Sequence, residues 1–272
     1  MGADRVTAGS VAAPRPRLRR IRLSITAWRF IAFLLILVAW HVASIPAGKL
    51  LLPSPIDVAP AIVALVRSGE LAQATASSLS VLFTGYALAV LTGIPLGILM
   101  GGIRPLGETL EIFVFGINST PRVAFIPLIV LWFGLGFEAK VVIVWLAAVF
   151  PILINTYSGV QNTDWGLIEA GRSFGATQGQ IFRHIMLPSA LPYVVTGLRL
   201  GAAIGVIGTV VAELYTALTG LGHLLALFGN TFQTAKYFVP VVTLLLIGTA
   251  ISESLKALER RAARWKSTTV EF

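Results

Sequence analysis

The chain has 272 residues, of which 56% are hydrophobic and only 12% charged, and its mean hydropathy is +0.84. A water-soluble domain carries about 25% charged residues, and half that share cannot cover a water-facing surface of this size. Cysteine is absent, which excludes disulfide frameworks and thiolate metal sites. The formal net charge of +9 sits beside apolar stretches and not in a folded basic domain, which argues against nucleic-acid binding.

Residues 1–25 are polar and rich in Pro and Arg, with Arg15, Arg17, Arg19, Arg20 and Arg22. They are expected to form a disordered basic cytoplasmic tail. The apolar stretch from Phe30 to Ala47 is long for the core of a signal peptide and lacks a clean small-x-small cleavage pattern, so it reads as an uncleaved signal-anchor. Uncharged runs at Phe30–Gly48, Leu71–Ile103 and Val141–Thr163 each suffice for the ~20 apolar residues that cross a ~30 Å hydrocarbon core. Spans are predicted at 28–46, 76–101, 107–131, 138–158, 190–214 and 236–257. Between the first two, Ser54 followed by Pro55 suits a helix start, and the amphipathic piece Ile56–Val66 is expected at the outer surface.

The basic residues divide unevenly across these spans. With the N-terminus inside, Arg5, Arg15, Arg17, Arg19, Arg20, Arg22, Arg29, Arg104, Arg172, Arg183, Lys256, Arg260, Arg261, Arg264 and Lys266 are cytoplasmic, against Lys49, Arg67, Lys140 and Lys236 outside. This bias predicts two cytoplasmic termini and an even number of crossings.

The longest cytoplasmic connection, Tyr157 to Ser189, is long enough to expect a function. It reads as a helix over Trp165–Phe174, a break at Gly175, and a second helix over Thr177–Met186 stopped by Leu187-Pro188. Small side chains at Ala170 and Gly171 allow close approach of another surface. Glu169-Ala170-Gly171, three residues, Gly175, nine residues, Ile185, one residue and Leu187-Pro188 resemble the E-A-A-x3-G-x9-I-x-L-P loop of ATP-binding-cassette (ABC) importer permeases, with Gly171 in place of the second Ala. The stretches Ser119–Leu128, Leu131–Gly136, Leu52–Pro55, Asn155–Tyr157, Leu187–Pro192 and Val211–Glu213 are similar to the nitrate/sulfonate/taurine branch of that family.

The resemblance implies an all-α integral membrane protein with about six transmembrane helices and the type I importer permease fold. The permease domain is placed at 26–266, with the coupling loop at about 160–188 and a C-terminal tail at 267–272. It further implies that the loop, through Glu169, Ala170, Gly171, Phe174, Gly175, Ile185, Leu187 and Pro188, docks on an ATPase subunit. The implied partners are two ATP-binding-cassette ATPase subunits, a second copy of the permease, an extracytoplasmic substrate-binding protein and the lipid of a bacterial inner membrane. The residues themselves contain no G-x-x-x-x-G-K-[ST] phosphate loop, so ATP hydrolysis is assigned to a partner. No catalytic residue, cofactor or metal is expected, and His41, His184 and His223 are scattered and read as structural.

Polar groups at membrane depth are candidates for a translocation path. Arg122 follows Pro121, which breaks or bends its helix, and Asn118 and Thr120 add hydrogen-bonding groups. Arg199 and Glu213 lie in the fifth span. Arg122 and Arg199 are expected to favour an anionic substrate in the path, and the resemblance implies a small anion such as a sulfonate, nitrate or taurine as cargo. The competing reading is that Arg122 fixes the helix break while Arg199 snorkels or pairs with a carboxylate. Gly93, Gly97 and Gly101, and Gly197, Gly201 and Gly205, form small-residue faces suited to close helix contacts. The rival function is a self-sufficient secondary transporter or channel, which would show matched broken helices in two halves.

Overall fold

The computed structural model describes residues 24–216 and 218–262. The tails expected at 1–25 and 267–272 lie outside these residues, save for Ser24 and Ile25. The described residues form helices α1 (Ile25–Ala47), α2 (Pro55–Arg67), α3 (Glu70–Gly102), α4 (Arg104–Ser119), α5 (Ile126–Phe133) and α6 (Phe137–Gln161). They continue as α7 (Trp165–Ser173), α8 (Gln178–Ile181), α9 (Leu187–Thr216), α10 (Leu221–Asn230) and α11 (Thr234–Ala262).

Helix α6 is the axis of the bundle, and glycine lets its neighbours come close. On one side, Gly85, Gly93, Gly97 and Gly101 of α3 face Val144, Ile152, Thr156 and Val160. On the other, Gly197, Gly201 and Gly208 of α9 face Asn155, Ile152 and Ala147. Without water to drive apolar association, helices in a membrane gain from such close backbone approach. The first register rises in both helices, so α3 and α6 run parallel. The second falls as the other rises, so α6 and α9 run antiparallel.

That direction settles the third span. Helices α1, α3, α6, the continuous helix from Gln178 to Thr216, and α11 are each long and apolar enough to cross a membrane. The segment predicted as one span at 107–131 is instead α4 and a second piece, Arg122–Phe133, bent by 86° at the break. Because α3 and α6 are parallel, this bent pair returns the chain to the starting side and makes one net crossing. The cause lies in Thr120-Pro121, where the residue before proline is driven out of the helical region, and Thr120 has ψ of 139°.

The predicted stop at Leu187-Pro188 is also corrected. Phe182–Met186 forms a π-helical turn in which the Leu187 N–H donates to the Phe182 carbonyl. The widened turn accommodates Pro188, and the helix runs on from Gln178 to Thr216. The predicted helix at 177–186 is therefore continuous with the fifth span.

One end of the bundle is capped by α2 and α10. Val58 and Leu65 of α2, Leu221, Leu224 and Phe228 of α10, Ala74 of α3 and Val239 of α11 form one buried cluster. The start of α2 matches its prediction. Ser54 caps Asp57, Asp57 bonds back to the Ser54 backbone, and Pro55 occupies the first turn. Helix α10 has 10 residues, about 15 Å at 1.5 Å per residue, too short to cross. Helix α1 exposes nearly its whole surface and is fastened by Trp40, whose indole N–H donates to the Pro53 carbonyl at 3.0 Å and whose ring stacks on Phe238.

Candidate functional site

Two regions carry the predicted site residues. The first is the segment at the end opposite α2 and α10. Helix α7 closes with a Schellman arrangement: Gly175 N–H donates to Arg172 O and Ala176 N–H to Gly171 O. Such a close needs a left-handed residue, and Gly175 has φ of +78°. Thr177 then caps α8 with Gln180 closing the capping box, so the reversal is complete within a few residues.

The segment has a buried side and a projecting side. Ile168 and Ile181 are buried, and Ile185 lies on Gly171. Phe182 packs against Gly102 at the end of α3, joining the segment to the bundle. Glu169 and Ala170 are exposed, and Phe174 is 91% exposed. Arg172 stacks over the Trp165 ring at 5.2 Å. Of the motif residues, Gly171, Gly175, Ile185, Leu187 and Pro188 build the shape, while Glu169, Ala170 and Phe174 are presented by it.

The second region is the break around Arg122. The Arg122 guanidinium donates to the Ala147 carbonyl at 2.9 Å and to Asn118 Oδ1, and lies 5.5 Å from the Phe150 ring centre. Ser119 and Thr120 hydroxyls donate to the Phe115 and Gly116 carbonyls. Two of the carbonyls left open where α4 ends, Gly116 and Ile117, are thus bonded by the Thr120 hydroxyl and N–H, as an interrupted helix at membrane depth favours. Arg122 borders a cavity of about 140 Å³ whose other walls are apolar, among them Ile126, Ile143, Ile207 and Val211.

Arg199 is exposed on α9. Glu213 lies near the C-terminal end of α9. It has no exposed surface, and its carboxylate accepts from the Ser78 hydroxyl at 2.8 and 2.9 Å and from the Gly222 N–H at 2.8 Å. Closed in on all sides, it lines no open path in this conformation. Lys140, counted among the outer charges, is only 3% exposed and donates to the Thr219 carbonyl and hydroxyl at 3.0 and 2.9 Å. The sequence reading missed Ser78 and Lys140, and also Tyr157, whose hydroxyl donates to Glu111 at 2.9 Å while accepting from Gln161. An isolated Lys and Glu at the ends of two apolar runs were the available signals.

A multi-pass helical bundle with one broken span places the chain among integral membrane proteins. Residues 93–264 match the family described as "Binding-protein-dependent transport system inner membrane component", and the chain belongs to this family: it is the permease subunit of an ABC importer, a multi-pass protein of the inner membrane. It is 35% identical to the putative aliphatic sulfonates transport permease SsuC of Escherichia coli, over 85% of this chain and 88% of that protein. It is 31% identical to the taurine transport system permease TauC of Escherichia coli, over 92% of each. With the formylaminopyrimidine transport permease ThiX of Halalkalibacterium halodurans it shares 32% identity, over 86% and 94%. Among solved structures it resembles a chain of the inward-facing MetNI methionine ABC transporter, with a TM-score of 0.61 and 25% identity over 69% of this chain and 94% of that one.

Proposed function

We propose that this permease works as a homodimer with two ATP-binding-cassette ATPase subunits and an extracytoplasmic substrate-binding protein, and that it imports a small anion. ATP is hydrolysed on the partner. The α7–α8 end faces the cytoplasm, as do both termini, and α2 and α10 face outward, in line with the excess of Lys and Arg on the α7–α8 side.

The observation that carries this reading is the division of labour in the coupling segment. A phenylalanine that is 91% exposed, beside Trp165 and Leu167 at 64% and 52%, on a hairpin anchored by the buried Ile168 and Ile181, fits insertion into a cleft of another protein. Phe182, packed on Gly102, and the unbroken helix into α9 give that insertion a rigid connection to the spans. Phe174→Ser is expected to leave the amount and thermal stability of the permease unchanged while abolishing co-purification of the ATPase. Retained co-purification and transport would overturn the reading.

The path runs past the broken span, with Asn118, Thr120 and Arg122 at the bend and Arg199 on α9. A guanidinium has five N–H donors, and among the described residues Arg122 forms two bonds to protein, which leaves donors for an anion at the rim of an apolar cavity. The names of TauC and SsuC, taurine and aliphatic sulfonates, agree with anionic or sulfonate-bearing cargo. The formylaminopyrimidine named for ThiX shows that relatives at this level of identity also carry other solutes, so the anion reading rests on Arg122. Arg122→Glu with assembly intact is expected to remove transport, and transport retained in full would exclude a path role.

A further inference from the structure

Glu213 is the best-buried charged group of the described residues. Its carboxylate sits before the first turn of α10, a helix of another part of the chain. The Gly222 N–H donates to Glu213 directly, and the Leu221 N–H donates at 2.8 Å to the Ser78 hydroxyl, which in turn donates to Glu213. The open N–H groups at the start of a helix are ordinarily capped by the residue that precedes it. Here that residue is Gly220, with φ of +102° and no side chain to offer. A carboxylate from α9 and a hydroxyl from α3 perform the capping, and a negative charge at that end also suits the helix dipole.

The packing leaves room for nothing else. A Cβ at Gly220 would overlap the Glu213 carboxylate, and one at Gly222 would meet Glu213 Cβ. Thr219, next in the chain, is held by Lys140 of α6 and lies 3.2 Å from the Ser77 hydroxyl of α3. Four helices therefore meet through Ser78, Lys140, Glu213 and the first residues of α10. Two of them, α6 and α9, also wall the cavity beside Arg122, through Ile143 three residues after Lys140 and Val211 two residues before Glu213. Helix α10 and the start of α3 enclose a recess of about 460 Å³ whose polar groups include Glu70, Gln73, Ser77 and His223.

We propose that Glu213 is a positioning residue. Through Ser78 it caps α10 from outside the helix and sets the wall of the recess at the outer mouth, so that the extracytoplasmic partner meets a preformed surface. The first half of this statement stands on geometry alone. The second rests on the orientation and partner assigned under Proposed function.

The chain lacks cysteine, so single reporters can be introduced without background. L221C, at a fully buried position, and L227C, at an exposed one on the same helix, would be treated with a membrane-impermeant maleimide in intact cells and in inverted vesicles. L227C is expected to react from the outside in every background. L221C is expected to be protected in the otherwise unaltered chain and to react about tenfold faster in Glu213→Ala and in Ser78→Ala, with Glu213→Gln, which keeps one acceptor oxygen, in between.

In the assembled transporter, Ser78→Ala is expected to raise the concentration of binding protein needed for half-maximal ATPase stimulation several-fold, with the maximal rate retained. A general loss of folding would lower the maximal rate and leave that concentration unmoved. Should Glu213→Ala fail to accumulate, Ser78→Ala decides alone. Protection of L221C in an assembled Ser78→Ala protein overturns the proposal. Reaction of L227C only from the inside overturns the orientation and leaves the capping role to be read from L221C.

Discussion

Gly171 abuts Ile185: a Cβ built at position 171 lies 2.8 Å from Ile185 Cδ1. Two positions of the coupling motif, 14 apart in sequence, thus meet across the hairpin, and the one departure from the family pattern falls at this contact. The neighbour is the tip of a flexible side chain, so a methyl group can be admitted by a small shift and a larger group cannot.

Gly171→Ala is accordingly expected to be close to neutral. The gain in helix propensity, about 1 kcal/mol, is offset by displacement of Ile185. Gly171→Leu is expected to cost about 1–3 kcal/mol as overpacking and to swing α7 off Ile181 and Ile185. Thermal unfolding in detergent, with ATPase co-purification alongside, distinguishes the two.

Gly175 presents the opposite case, because its restriction is conformational and not spatial. A Cβ there meets nothing within 4 Å, yet φ is +78°. Gly175→Val is expected to cost about 1–2 kcal/mol and to weaken ATPase binding by misdirecting Phe174. Gly175→Asn, a residue that tolerates the left-handed region, is expected to retain most of the binding. Equal affinities for the two variants would contradict this account.

The glycine faces of α3 and α9 give a comparison between two glycines of similar sequence setting. A Cβ at Gly97 lies 2.7 Å from the Leu153 carbonyl oxygen, whereas one at Gly205 makes ordinary contact with Leu82 at 3.4 Å. Backbone cannot step aside as a side-chain tip can. Gly97→Ala is expected to destabilise by about 1–3 kcal/mol, and Gly205→Ala to change stability by less than about 1 kcal/mol. Melting temperatures of the two variants test the difference directly.

The cap of α2 predicts a pH dependence. The Lys49 ammonium at 2.8 Å and the Ser54 hydroxyl at 2.7 Å lower the Asp57 pKa from 3.8 to about 2. A carboxylate depressed on folding contributes stability that is fully present above its unfolded pKa and is lost as pH falls through the folded one. The difference in melting temperature between the unaltered protein and Asp57→Asn is therefore expected to be level above pH of about 4 and to shrink between there and pH 2. A difference that grew on acidification would contradict the assignment.

Much of this architecture was legible in the residues because a bilayer imposes one strong rule, that a span must be apolar and must bond its own backbone. The apolar runs located five long helices, although the fifth reaches back to Gln178, 12 residues before its predicted start at 190, and Ser54-Pro55 and Gly175 marked a helix start and a reversal because their preferences are local. Tertiary structure decided what depends on a partner distant in sequence. Pro121 signalled a bend inside one predicted crossing, and the folded chain set its size at 86°. Pro188 reads as a stop until a π turn opens the helix ahead of it. Glu213 and Lys140 look like path or surface charges because charge alone suggests water or substrate. Only the folded chain brings Ser78, Thr219 and Gly222 to them, since a buried charge is held by bonds whose partners lie up to 135 residues away, beyond the reach of any local pattern.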